Sequence, residues 1–259
     1  MSMDEFEVGY PLGKGGFGSV FLVRLKADTR RLYALKIMYK SQLEESNLMK
    51  QLANEINIQQ KLNHPHIAKL QTWWKTDERF FLLMDYCHYG CLFQTIQKGP
   101  LDEGTAFKIF KQVVDAVHFC HQNNIIHRDI KPENILFWKK DHIKLTDFGW
   151  SASFNAGQKN QTYCGTLEYM CPEIICNCPY DYRVDNWALG VLLYEMAHGM
   201  SPFAASDERS CEKRIMRLDI VFNNDSVSRR LKTMVLNLLK KVPAQRMSLS
   251  DVLKDLNDF

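Results

Sequence analysis

Apolar and polar positions alternate with a period of two from residue 6 to about residue 40. Phe6, Val8 and Tyr10 lead to Pro11-Leu12; Val20-Phe21-Leu22-Val23 and Tyr33-Ala34-Leu35-Lys36-Ile37 follow. This alternation predicts three strands, with the turn between the second and third at Asp28-Thr29. The period then changes. Leu48, Leu52, Glu55, Ile56 and Gln59 recur at helical spacing, and His64-Pro65 ends that helix, because proline disfavours helical geometry in the residue before it. Ile67 to Leu70 and Phe80 to Met84 are expected to complete the sheet. Beyond them the pattern is helical. Asp102 can cap a helix carrying Ala106, Ile109, Phe110, Val113, Val114, Val117 and Cys120, which stops near Asn123-Asn124. Val191, Leu192, Leu193 and Met196 mark a helix running through the centre of this half, and two amphipathic helices (about 226 to 240 and 248 to 258) finish the chain. A small, mostly β part followed by a larger helical one is an α+β arrangement.

Composition narrows the class without choosing a function. A chain of 259 residues suits one large domain or two tightly coupled lobes, with 46% apolar and 24% charged residues. A net charge of +3 is too small to make nucleic acid or an anionic membrane the main partner. No apolar run approaches membrane-spanning length, and Met1-Ser2-Met3-Asp4-Glu5 lacks the layout of a secretory signal. The eight cysteines are scattered, which reads as reduced thiols in an intracellular protein. Cys171, Cys176 and Cys178 have no second ligand pair at finger spacing, and His118 and His121, which could share a helix face, are read as ordinary helix histidines, so neither group argues for a metal.

Chemistry enters with three segments. Gly13-Lys14-Gly15-Gly16-Phe17-Gly18-Ser19-Val20 lies between two predicted strands. Glycines at this spacing let the backbone approach phosphates, and the β-branched and aromatic residues that follow make the loop a hairpin lid rather than the strand-to-helix turn of dinucleotide folds. Taken alone it could be an ordinary glycine-rich turn. Lys36 sits between apolar neighbours in a strand, an unfavourable place unless its ammonium finds a partner. Glu55, nineteen positions later, is the only acidic residue between Gln51 and Lys61 and would lie near the helix face turned to the sheet; the alternative is a solvated carboxylate. The third segment runs from His127 to Gly149. It supplies a carboxylate (Asp129), a cation (Lys131), an amide oxygen (Asn134) and a second carboxylate (Asp147), the parts needed to move a phosphoryl group to a hydroxyl with magnesium on the nucleotide.

The run His-Arg-Asp-Ile-Lys-Pro-Glu-Asn and the following Thr-Asp-Phe-Gly resemble the catalytic and metal-binding segments of protein kinases, serine/threonine-specific ones because of Lys131. The match covers nearly the whole chain. It implies a bilobal kinase fold over residues 1–259: a small lobe at about 6–86, a hinge at about 85–90, a large helical lobe at about 90–259, and an activation segment at 147–173. By that resemblance Lys36 grips the α- and β-phosphates of ATP and is held by Glu55, Asp129 and Lys131 act at the transfer, and Asn134 and Asp147 hold Mg2+. The nucleotide would lie among Leu12, Gly13, Lys14, Gly15, Gly16, Phe17, Gly18, Val20, Ala34, Met84, Asp85, Cys87, Glu133 and Leu136. There the carbonyl of Asp85 and the amide of Cys87 would meet the adenine edge. Each apolar member could equally be a core residue. Glu173 is expected to pair with Arg246, and Asp185 to brace the catalytic-loop backbone.

Finer features are similar to the Aurora branch: Trp150-Ser151 after Phe148-Gly149, Cys164-Gly165-Thr166-Leu167-Glu168-Tyr169, the start Phe6 to Gly15, and Gln59 at an otherwise apolar spine position. That likeness implies activation by phosphorylation of Thr162, with Arg128 in the phosphate pocket. Here the flanking cations are thinned to Lys159-Asn160-Gln161, and Asn54 replaces a helix arginine, so the phosphate should activate less than it does with a full set of arginines. Glu133, Glu195 and Thr166 would face the substrate, and the two glutamates would favour an arginine two residues before the phosphoacceptor, unless they are ordinary salt-bridge partners. Cys91 replaces a glutamate that several basophilic kinases use. The family further implies protein substrates with basic residues before Ser/Thr, an activator protein docking on the small lobe, a monomeric catalytic domain, and work at spindle, centrosome or centromere. A catalytically silent scaffold, a polo-like enzyme or one like the cyclic-AMP-dependent kinase remain alternatives.

Overall fold

The computed structural model describes residues 1–15, 18–154, 160, 162, 164–222 and 227–258. Its small lobe is built on a five-stranded antiparallel sheet in the order β1-β2-β3-β5-β4. The strands are β1 (Phe6–Gly15), β2 (Gly18–Leu25), β3 (Asp28–Tyr39), β4 (Leu70–Lys75) and β5 (Arg79–Asp85). Two expectations need correction. The turn between β2 and β3 is Lys26-Ala27, since Leu25 pairs with Asp28. The turn chemistry of Asp28 is used instead at the start of β3, where its carboxylate accepts the Arg30 backbone N–H at 3.2 Å. The fourth strand begins at Leu70 and continues through Trp73 and Trp74, while Ile67 forms an isolated parallel bridge with Leu145.

The period of two gives the sheet its faces. Tyr33 and Leu35 point into a cluster with Phe6, Val23, Phe81 and Leu83, where Phe6, Trp74 and Phe81 stack at 5.6 and 5.1 Å. Ala34, Lys36 and Met38 point the other way. On that side Met38, Phe80 and Leu82 pack with Leu43 of α1 (Lys40–Glu45) and with Leu52 and Ile56 of α2 (Met49–Lys61). Lys36 therefore shares a face with the residues that seat α2. At Gly18 a Cβ would lie 2.1 Å from the Ile37 carbonyl oxygen, so only glycine fits there.

The large lobe carries α3 (Leu92–Ile96), α4 (Glu103–Gln122), α5 (Pro172–Ile175), α6 (Arg183–His198), α7 (Glu208–Arg217), α8 (Arg229–Leu238) and α9 (Leu249–Asn257). Short strands β6 (Ile125–Ile126) and β9 (Ala152–Ser153) pair with each other, as do β7 (Ile135–Lys139) and β8 (His142–Leu145). Asp102 caps α4 through the Thr105 amide at 2.9 Å, a contact of about 1 kcal/mol. Helix α6 is buried along almost its whole length and crosses α8 so closely that a Cβ on Gly190 would come within 2.9 Å of Leu238 and Leu239. Trp187 stacks on Phe203 beside it.

Two links join the lobes. One is the chain after Asp85, where Phe137 donates to the Gly90 carbonyl at 2.8 Å. The other is β8: Ala68 donates to the Leu145 carbonyl at 2.8 Å, Leu145 donates to that of His66 at 2.9 Å, and Lys144 bonds the Asp85 carboxylate at 3.0 Å.

Candidate active site

Between the lobes lies a cleft of about 710 Å³. Of the expected nucleotide-site positions, it is lined by Leu12, Gly13, Lys14, Val20, Ala34, Lys36, Met84, Asp85, Cys87, Glu133, Asn134, Leu136 and Asp147. Gly18 borders a neighbouring cavity of about 260 Å³ behind Lys36, and Gly15 ends β1 opposite it. Gly16 and Phe17 lie outside the described residues, as do Lys159 and Gln161.

Lys36 donates to Glu55 Oε1 at 2.8 Å, and Glu55 is buried. Burial works against the Lys36 ammonium, but the charges of Glu55 and Asp147 outweigh it and hold the amine above the ordinary lysine range, so it stays a cation. Asp147 adopts φ +63°, a left-handed conformation that short polar residues tolerate best. Its carboxylate accepts the Gly149 amide at 3.2 Å. This turn sends Phe148 into the core, fully buried and edge-on to His127 at 4.8 Å, while Asp147 remains on the cleft wall.

Asp129 sits in a cluster of donors. Lys131 Nζ is 3.0 Å from one carboxylate oxygen and Asn134 Nδ2 donates to the same oxygen at 2.9 Å; the other oxygen accepts from Thr166 Oγ1 at 3.5 Å. Lys131 also reaches Thr166 at 2.9 Å. Because the Asn134 amide nitrogen is taken up by Asp129, its oxygen is the atom left for a cation. Asp147 and Asn134 thus present hard oxygens on one cleft wall, a donor set that fits magnesium.

The loop carrying Asp129 is held from below. The fully buried Asp185 accepts the backbone N–H of His127 and of Arg128, each at 2.9 Å, and lies 2.8 Å from His121 Nε2. Arg128 has φ +68°, so these bonds fix a backbone that an arginine would not adopt unaided. Burial raises the Asp185 carboxyl, but the hydrogen bond and charge of His121, with help from His127 and the Arg128 amide, bring it below the usual carboxylate range. Glu173 and Arg246 form a bidentate pair at 2.6 and 2.7 Å, with the guanidinium over Trp187.

Burial raises the Glu195 carboxyl, and Tyr169 donates its hydroxyl to it. Thr162 is exposed, and its carbonyl accepts from Tyr180 at 2.9 Å. Arg128 donates to the Tyr180 hydroxyl at 3.0 Å and to the Trp150 carbonyl. Asn54 donates to the Ser151 carbonyl at 2.8 Å. Desolvation pushes the half-buried Cys87 thiol up to about 12, which keeps it protonated.

Sequence reasoning did not find His121, Tyr180, Tyr169 or Gln51. Only His121 left a trace, as a helix histidine; its carboxylate is 64 residues away. Among the described residues no group of three or more His, Cys, Asp or Glu is placed to hold a metal ion.

A deep cleft with a paired lysine on one wall and a braced carboxylate loop on the other defines a phosphotransferase, and the comparisons agree: residues 6–256 match the protein kinase domain family. The chain belongs to that family, whose members in general use ATP and Mg2+. Its curated relatives include an Aurora kinase of Candida glabrata, 41% identical over 253 residues that make up 97% of this chain and 70% of the relative. Aurora kinase B of Drosophila melanogaster is 40% identical over 252 residues, 96% of this chain and 76% of its own. Aurora kinase C of Mus musculus is 39% identical over 254 residues, 98% and 91%. Within the protein kinases this is an Aurora-like serine/threonine kinase.

Proposed function

We propose that the cleft binds ATP with magnesium and that the γ-phosphoryl group passes to a serine or threonine of a protein substrate carrying basic residues before the acceptor. The observation that carries this reading is the Lys36–Glu55 pair at 2.8 Å on one side of a cleft whose other side holds Asp147 and Asn134, with the Asp129 cluster alongside. Asp129 takes the hydroxyl proton as the new O–P bond forms and the bond to the β-phosphate oxygen breaks, releasing ADP. Lys131, on Asp129 and Thr166, offsets negative charge as the acceptor oxygen approaches. Lys36 orients the α- and β-phosphates. Asp147 and Asn134 would hold magnesium, which would neutralise phosphate charge. The adenine lies between Val20 and Ala34 above and Leu136 below, at Asp85 and Cys87, with Met84 behind. Leu12, the glycines and Lys14 cover the phosphates.

Transfer of phosphate to an Arg-x-Ser/Thr peptide, compared with the Asp147→Asn variant, tests this. The variant is expected to retain well under a hundredth of the parental rate. Equal rates for both would overturn the assignment.

Glu133 and Glu195 favour an arginine two positions before the acceptor, since Glu195 is buried next to the Glu133 and Glu168 charges and a cation there relieves them. A peptide array indifferent to removal of that arginine would remove this support. Phosphorylation of Thr162 raises activity, by less than where several arginines meet the phosphate, because Arg128 already has protein acceptors. As an Aurora-like kinase the chain would work in mitosis, at spindle, centrosome or centromere, as a monomeric catalytic domain with an activator protein on its small lobe.

A further inference from the structure

Three successive carbonyls after the Asp147 turn are each held by a side chain from elsewhere. Gly149 accepts from Gln51 Nε2 at 2.5 Å, Trp150 from Arg128 Nε, and Ser151 from Asn54 Nδ2 at 2.8 Å. Two of the donors come from α2. Gln51 and Asn54 are three residues apart and Gln51 and Glu55 four apart, so all three side chains share one helix face. That face meets the start of the activation segment at two points while Glu55 reaches Lys36 from the same turn of helix. Sliding or rotating α2 away from the cleft would break both amide bonds together with the ion pair.

These ties are neutral. Each joins an amide N–H to a backbone carbonyl, and neither needs a charge on the activation segment. The cation nearest in sequence to the catalytic carboxylate, Arg128, is likewise engaged with protein groups, the Trp150 carbonyl and the Tyr180 hydroxyl, and Tyr180 itself donates to the Thr162 carbonyl. A closed chain of contacts therefore runs from α2 through residues 149–151 and Arg128 to Thr162 with no phosphate in it.

We propose that Gln51 and Asn54 are positioning residues for phosphoryl transfer, keeping Glu55 on Lys36 while Thr162 carries no phosphate. This rests on the kinase reading above. The helix is poised in advance, and a phosphate on Thr162 adds order to a site already assembled.

The test uses the full chain treated with phosphatase and checked by mass, with the isosteric variants Asn54→Asp and Gln51→Glu, which keep size but lose the N–H donor. Each is expected to lower kcat about tenfold, the loss of one hydrogen bond's worth of positioning, with the KM for the peptide unchanged. Asn54→Gln, which keeps an amide donor, should recover most of it. Hydrogen exchange across residues 49–61 should quicken in the two isosteric variants, a readout independent of turnover. Unphosphorylated Thr162→Ala should stay within about fivefold of the phosphorylated parent, a loss smaller than removing one tie. Parental kcat and parental exchange in both isosteric variants would overturn the inference, as would a Thr162→Ala rate reduced more than a hundredfold. A parent inactive whether or not Thr162 is phosphorylated would overturn the kinase reading with it; a parent active only with Thr162 phosphorylated, or an active parent with indifferent variants, overturns this inference alone.

Discussion

Asp185 offers the sharpest single perturbation, because its two oxygens hold both a histidine and the catalytic loop. In Asp185→Asn one acceptor oxygen becomes an NH2 group. One of the two backbone N–H groups of His127 and Arg128, or the His121 ring, then faces a donor. A buried donor left without an acceptor costs about 1–3 kcal/mol, and exchanging a carboxylate for an amide weakens the remaining bonds by about 1 kcal/mol. The expected destabilisation is about 3 kcal/mol, read as a lower urea midpoint with unchanged slope, or about 6–12 °C in Tm for a chain of this size. Arg128 would lose part of what fixes its φ of +68°, so Asp129 should be less well placed. A fall in kcat of at least tenfold, equivalent to about 1.4 kcal/mol, is expected, with the KM for ATP nearly unchanged. The pH dependence has a definite sign. The folded pKa of Asp185 is depressed, so its contribution is present above the unfolded aspartate value and is lost as pH falls through the lower folded value. Asp185→Asn should therefore flatten the acid limb of the parent's stability curve. An unchanged midpoint together with an unchanged kcat would refute the reasoning.

Other outcomes follow from single contacts. Glu173→Gln leaves the buried Arg246 guanidinium half-partnered and should cost about 3–5 kcal/mol, while Glu173→Met combined with Arg246→Leu should recover most of that in chemical denaturation. If the double variant is less stable than the single one, the pair contributes net stability beyond its burial cost. Gln59 is buried with neither amide atom hydrogen-bonded among the described residues, so Gln59→Leu should raise stability by about 1–3 kcal/mol; a lower midpoint would show that the amide has a partner in solution. Glu195 has a raised pKa, so it takes a proton at a higher pH than an ordinary glutamate. The advantage of an arginine-containing peptide in kcat/KM should shrink as pH falls through that range, and Glu195→Gln should abolish this dependence. A pH-independent preference in the parent would contradict it.

Much of the fold was legible because its periods are clean. The two-residue alternation around Lys36 and the apolar spacing of α4 each point to one burial pattern, and the structure has it. The turn at Lys26-Ala27 leaves no mark of its own, because the turn chemistry nearby belongs to Asp28, which uses it within β3. The start of the strand over Leu70–Lys75 is masked because Ile67 is as apolar as a strand residue, yet its partner is Leu145 of the other lobe. At the site, local runs such as Asp129 to Asn134 announce themselves, since their members are close in sequence. Contacts such as His121 with Asp185, Gln51 with Gly149 and Arg128 with Tyr180 join residues 52 to 98 positions apart, and no period records them.

The pairing of β8 with the segment before β4 bears on how the cleft admits and releases nucleotide. With the crossing at Asp85–Gly90 and the crossing at His66–Ala68 both fastened, the upper half is hung like a door on two pins. It can swing only about the line through them. Gaping at right angles to that line would first have to unzip Leu145 and part Lys144 from Asp85.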